Sequence, residues 1–96
     1  MKRGRFITLE GGEGVGKSTL ATALEARLVA RGIKVVRTRE PGGTPGAEAI
    51  RRLILNPPAE VTGWEPIAET LLFYAARTDH LDKLIRPALA AGSWVI

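Results

Sequence analysis

Cysteine is absent from the 96 residues, and histidine occurs once, as His80. The first absence excludes a disulfide scaffold and any thiolate-held metal or iron–sulfur cluster. The second excludes a zinc site built on several imidazoles. No apolar run approaches the roughly 18 residues of a membrane span. The basic start, Met1-Lys2-Arg3-Gly4-Arg5, lacks the apolar core of a signal peptide, because residues 6–9 run straight into Glu10. A cytoplasmic protein with no membrane partner is expected. The cations are scattered rather than run together, which speaks against a nucleic-acid tail and a nucleic-acid partner.

What is present is ordinary for a globular chain: 45% hydrophobic and 25% charged residues. The length allows one domain at most. A chain this short buries only about 60–70% of its unfolded surface, so its stability alone is marginal. Lys and Arg number 14 against 10 Asp and Glu, and ten of those cations are arginines. Scattered arginines suit a small anionic ligand, above all one bearing phosphates.

Phe6-Ile7-Thr8-Leu9 is β-branched and apolar and reads as a short buried strand. Four glycines within residues 11–16 make a loop. A helix follows over 18–31, with Leu20, Ala23, Leu24, Arg27 and Leu28 on one face and Gly32 as its stop. Ile33, Val35 and Val36 form a second strand. Strand, loop, helix and strand within about thirty residues is a βαβ unit, so the two strands are expected parallel. A turn-rich loop occupies 39–46 and a short helix 47–55. A longer helix is expected over 65–86, opened by Pro66 and closed by Pro87. Trp94-Val95-Ile96 begins a third strand. Three strands with an open edge imply a piece of a longer protein, a sheet apparently truncated after its third strand.

Gly11-Gly12-Glu13-Gly14-Val15-Gly16-Lys17-Ser18 fits the phosphate-loop pattern G-x-x-x-x-G-K-[ST]. With these residue frequencies a chance match has a probability on the order of half a percent. Glycines let successive N–H groups converge on one anion, and the helix that follows adds its partial positive charge. Lys17 is then the group on the β- and γ-phosphates, and the Ser18 hydroxyl the ligand for Mg²⁺. Thr19 completes the ATP-binding set of residues 11–19. A glycine-rich turn opening an ordinary helix is the alternative. The loop alone does not separate kinases from GTPase switches, motor ATPases and partition ATPases.

Residues 6–19, then Thr38-Arg39-Glu40-Pro41-Gly42-Gly43-Thr44, then Phe73-Tyr74-Ala75-Ala76-Arg77 together resemble the bacterial thymidylate kinases. The resemblance covers essentially the whole chain and stops just before the family's Asp-Arg motif. It implies an α/β, three-layer P-loop kinase fold with a parallel sheet, in which residues 1–96 are the N-terminal part of a nucleoside monophosphate kinase domain. It implies phosphorylation of dTMP to dTDP with ATP and Mg²⁺, by a homodimer. By the same resemblance Glu13 binds the acceptor's 3′-hydroxyl, and a carboxylate beside a triphosphate is otherwise unhelpful. Arg39 lies near the acceptor phosphate, as a catalytic cation with Lys17. Arg51 is directed towards the acceptor, although an exposed helix arginine is an equal reading. Phe73 stacks the thymine ring, and Arg77, one turn on and so on the same face, hydrogen-bonds the base. No arginine stands among residues 12–15, so the chain resembles family members whose transition-state arginines sit in a mobile lid. Another P-loop nucleotide kinase and a non-metabolic ATPase switch remain the rivals; the switch class typically carries a lysine where Gly12 stands.

The other polar residues read as bland. His80 is expected at the surface without a partner, Asp79, Asp82 and Lys83 as a solvated face, and Trp64 and Trp94 as packing residues.

Overall fold

Val35–Val36 (β1) and Trp94–Val95 (β2) are β-branched or aromatic residues, and they pair in parallel with Val35 opposite Trp94 and Val36 opposite Val95. The computed structural model in which they lie describes residues 2–11, 14 and 16–96. Phe6 pairs in parallel with Val95 on the other side of β2. The backbone carries the pattern: Ile7 N–H donates to Val95 O at 2.8 Å and Val95 N–H to Arg5 O at 2.9 Å. On the β1 side, Trp94 N–H donates to Lys34 O at 2.8 Å and Ile96 N–H to Val36 O at 3.0 Å. The third predicted strand therefore lies between the first and the second, with Val95 fully buried. The expected parallel direction holds. Of the expected buried strand at 6–9 only the bridge at Phe6 forms, and Phe6 is 45% exposed.

The residues form two compact units, Met1–Thr38 with Pro87–Ile96, and Arg39–Arg86. In the first unit, helix α1 (Lys17–Ala30) packs on β1. Its end is set by Gly32, at φ 80°. Gly32 N–H donates to Val29 O and Ile33 N–H to Leu28 O, a Schellman motif that satisfies two terminal carbonyls. The buried residues of α1 are Ala21 and Leu28, whereas Leu20 is 55% exposed. The inward face is thus rotated from the one expected. Arg37, just past β1, donates to Thr22 Oγ1 at 2.9 Å and pairs with Glu25 at 3.6 Å. Trp94 is half-buried, with Arg5 over its ring at 6.0 Å from the centroid.

Gly4 marks a close approach in this unit. Its N–H donates to Leu89 O at 3.0 Å, and a Cβ at that position would collide with the Ser93 backbone carbonyl. Backbone cannot rotate aside as a side chain does. Gly4→Ala in the complete protein is expected to cost roughly 1–3 kcal/mol, read as a lowered Tm. An unchanged Tm would mean that the two segments do not meet so closely.

In the second unit, helix α2 (Pro45–Leu55) packs against helix α3 (Pro66–His80). Each starts with a capping side chain before a proline, the arrangement that suits a helix N-terminus. Thr44 Oγ1 accepts from Ala47 N–H, and Glu65 accepts from Ile67 and Ala68 N–H. Ala47 and Ala76 are fully buried, and a Cβ on Gly46 would stand 2.8 Å from Asp79 Oδ2. Small residues let the helices approach. Half-buried Trp64 donates Nε1–H to Leu53 O at 2.8 Å.

Pro87 does not close the helix as expected. After α3 comes a π-helical turn, Leu81–Ile85, and then α4 (Arg86–Ala90), which contains Pro87. Arg86 N–H donates to Leu81 O, five residues back. The widened turn directly before the proline relieves the clash its ring makes with a regular helix, so the helix continues to Ala90.

Candidate functional site

Two groups of side chains stand out, one in each unit. The first is the glycine loop and the start of α1. Gly11, Gly14 and Gly16 have φ of 147°, 78° and 85°, and a Cβ on Gly14 or Gly16 would meet nothing within 4 Å. Glycine is required there by backbone conformation and not by crowding. Gly16 caps α1 without a side chain, and its carbonyl accepts the first helical bond from Leu20 N–H at 2.9 Å. The N–H groups of Lys17, Ser18 and Thr19 therefore have no partner within the helix. Lys17, Ser18 and Thr19 are exposed. Exposed donors at a positive helix end are groups that suit an anion. Gly12, Glu13 and Val15, the other expected members, lie outside the described residues.

The second group is built by the 39–44 loop, α2 and α3. Arg39 donates Nε–H to Glu48 Oε2 at 3.1 Å and Nη2–H to Oε1 at 2.5 Å, a two-pronged pair. Glu48 also accepts from Gly43 N–H at 2.8 Å, in the first turn of α2. The Arg39 hydrogen bond, then the Gly43 N–H, and the charges of Arg39 and Arg51 lower the Glu48 pKa from 4.5 to about 2, against desolvation. Arg51 is half-buried and donates Nη1–H to Pro41 O at 2.8 Å, while Arg52 is exposed. Arg51 is thus tied to the loop and is not a free helix arginine. The Glu40–Pro41 peptide is cis.

On α3, Phe73 remains 41% exposed. Arg77, one turn on, donates Nε–H to Glu40 Oε1 at 2.7 Å. That carboxylate raises the Arg77 pKa further above its ordinary value.

Two expectations are overturned here. His80 is not a surface residue: it is fully buried, and its Nδ1 stands 2.5 Å from Glu40 Oε2. Nor is Asp79 part of a solvated face. It accepts from buried Thr44 Oγ1 at 2.5 Å and pairs with Lys83 at 2.8 Å. Lys83, then Thr44, hold the Asp79 carboxyl below its usual range. The residues missed by sequence reasoning are Glu40 and Glu48. Glu48 had a usable signal, an acid in the first turn after a threonine cap. Glu40 had none, because its partners stand 37 and 40 residues away.

The Glu48 carboxylate makes acid sensitivity predictable. A carboxyl depressed on folding contributes stability above its unfolded pKa, near 4.5, and loses it as pH falls towards about 2. The Tm advantage of the wild type over Glu48→Gln is therefore expected to shrink between those limits. A constant difference down to pH 2 would contradict the pairing.

Comparison with known proteins gives a coherent answer. The thymidylate kinase family profile matches residues 9–96. Curated thymidylate kinases from Rhizorhabdus wittichii and Caulobacter vibrioides are 66% and 55% identical over 97% and 100% of this chain. The chain spans 44% and 45% of their lengths. The crystal structure of thymidylate kinase from Ehrlichia chaffeensis is similar at a TM-score of 0.73 and 35% identity, over 98% of this chain and 50% of that one. The fold is accordingly that of a P-loop kinase with a parallel sheet, and the switch-ATPase reading is not favoured. With its family profile matched from residue 9 to residue 96, this chain belongs to the thymidylate kinase family.

Proposed function

We propose that residues 1–96 supply the N-terminal part of a nucleoside monophosphate kinase domain that transfers the γ-phosphoryl group of ATP to dTMP. The observation that carries this reading is the α3 face on which an accessible Phe73 stands one turn before Arg77, which is anchored on Glu40. The glycine loop and the exposed start of α1 support the donor half of the reading.

In this reading Lys17 and the N–H groups at the start of α1 hold the ATP phosphates, within a loop of Gly11, Gly12, Glu13, Gly14, Val15 and Gly16. Arg39 and Arg51 hold the acceptor phosphate, Glu13 accepts from its 3′-hydroxyl, and Phe73 and Arg77 hold the base. Arg39 is paired with Glu48, so it reaches a phosphate by keeping or exchanging that carboxylate. Phosphoryl transfer asks the protein chiefly for positioning and charge. Among the described residues no cluster of three or more His, Cys, Asp or Glu could hold a metal. The exposed Ser18 hydroxyl is a hard oxygen that suits Mg²⁺ whose other ligands are phosphate oxygens and water. When bound, Mg²⁺ neutralises phosphate charge.

The same reading includes a homodimer, and the exposed apolar stripe Ile67, Leu71 and Tyr74 on α3 gives it a surface. No helix among the described residues is long and apolar enough to cross a membrane. The test is turnover by the complete protein: ATP and dTMP should yield dTDP, with dCMP a poor acceptor. Absence of dTDP formation would refute the reading.

A further inference from the structure

His80 is a costly residue to place where it stands. Its side chain is 1% exposed, and an imidazole taken from water needs a hydrogen bond to offset the loss. An apolar side chain of similar size would pack there without that cost. One hydrogen bond it makes joins Nδ1 to Glu40 Oε2 at 2.5 Å, with the ring N–H donating to the carboxylate oxygen. The other oxygen of the same carboxylate accepts from Arg77 Nε–H.

Arg77 and His80 are three residues apart on α3, and so share a face. Glu40 reaches that face from the loop before α2. The result is a chain from a fully buried imidazole, through a carboxylate that is 35% exposed, to a guanidinium that is 59% exposed. Left alone, a partly exposed glutamate rotates about three bonds, and an arginine about four. Fixing one carboxylate oxygen from below fixes the direction in which the other holds Nε. The guanidinium is planar, so holding Nε directs its remaining donors.

We propose that His80 is a positioning residue for the acceptor base: through Glu40 it aims the Arg77 guanidinium, and thereby sets the preference among pyrimidine nucleotides. This rests on the reading above that Arg77 faces the base. His80 itself touches no substrate in this scheme.

The experiment uses the complete protein and measures kcat and KM for dTMP, dCMP and ATP, with Tm. Asparagine places an amide N–H where Nδ1–H stands, whereas glutamine places it one bond further out. His80→Gln is expected to raise KM for dTMP roughly ten- to a hundredfold, with KM for ATP unchanged. It should lower the dTMP-over-dCMP ratio in step. His80→Asn should stay within about threefold of wild type on both measures. In an Arg77→Met background, His80→Gln should add nothing further, because the group it aims is gone. Where His80→Gln does not fold, Glu40→Gln serves in its place and should give the same KM split. Equal effects of Asn and Gln, or an effect of His80→Gln that persists beside Arg77→Met, would overturn the proposal and leave the base-site reading standing. A wild-type dTMP-over-dCMP ratio in Arg77→Met alone would overturn both.

Discussion

On the proposed reading, Lys17→Ala in the complete protein is expected to lower kcat/KM for ATP by roughly 10²–10³-fold, the usual cost of removing one preorganised electrostatic contact. The fold should survive. Lys17 is exposed at the first position of α1, where alanine is a good helix former. Surface substitutions away from packed features change stability by about 0.5 kcal/mol at most, so Tm should stay within a few degrees. The loss belongs to charge and not to shape. The N–H groups of residues 17–19 and the helix dipole remain in the variant, so weak nucleotide binding should persist while transfer fails. Steady-state kinetics at varied ATP, beside a thermal melt, separates the two. Near wild-type kcat/KM would mean that the loop from Gly11 to Ser18 does not hold the donor.

How far the sequence carries is visible in particular residues. The G-x-x-x-x-G-K-S pattern is legible because it is local: glycines, a lysine and a serine stand at fixed spacing at the start of a helix. The end of α1 was legible for the same reason. Gly32 stops α1 through a motif made within six residues, whereas α2 opens at Pro45 and not at 47, and Thr44 and Glu65 act as caps that the sequence reading did not assign. Longer-range outcomes were not. Pro87 reads as a stop, but the π-helical turn before it, Leu81–Ile85, spares the helix. Arg37 reaches back 15 residues to Thr22 on α1, a contact that spacing along the chain does not show. His80 reads as an unpartnered surface polar residue, yet its partner Glu40 arrives from a loop 40 residues earlier. A single chain shows spacing along itself and not what folds against it. The acceptor residues could be named by resemblance, but the carboxylates that brace Arg39 and Arg77 emerge only from the packed structure.

On the proposed reading, the complete wild-type protein should use dTMP and dUMP and reject dCMP, and Arg77→Met should lose most of that preference. Arginine carries only donors. Thymine and uracil present an acceptor oxygen at position 4, where cytosine presents an amino donor. The guanidinium is not deprotonated in proteins, so its donors are permanent. Its Nε is engaged by Glu40 Oε1 at 2.7 Å, which leaves the outer nitrogens as the groups that meet a ligand. A donor buried against a donor costs roughly 1–3 kcal/mol, more when charged, so discrimination against dCMP should reach tens of fold. Phe73 offers its face to any pyrimidine, so stacking alone does not discriminate, and the residual activity of Arg77→Met should be nearly blind to the base. The variant should therefore depress dTMP use far more than dCMP use. The thymine methyl has no polar handle and is read by shape, so dUMP should remain a genuine but weaker substrate. The decisive measurement is kcat/KM for the three nucleotides on both proteins at saturating ATP. Equal use of dTMP and dCMP by the wild type, or a ratio unchanged in Arg77→Met, would remove Arg77 from the base site.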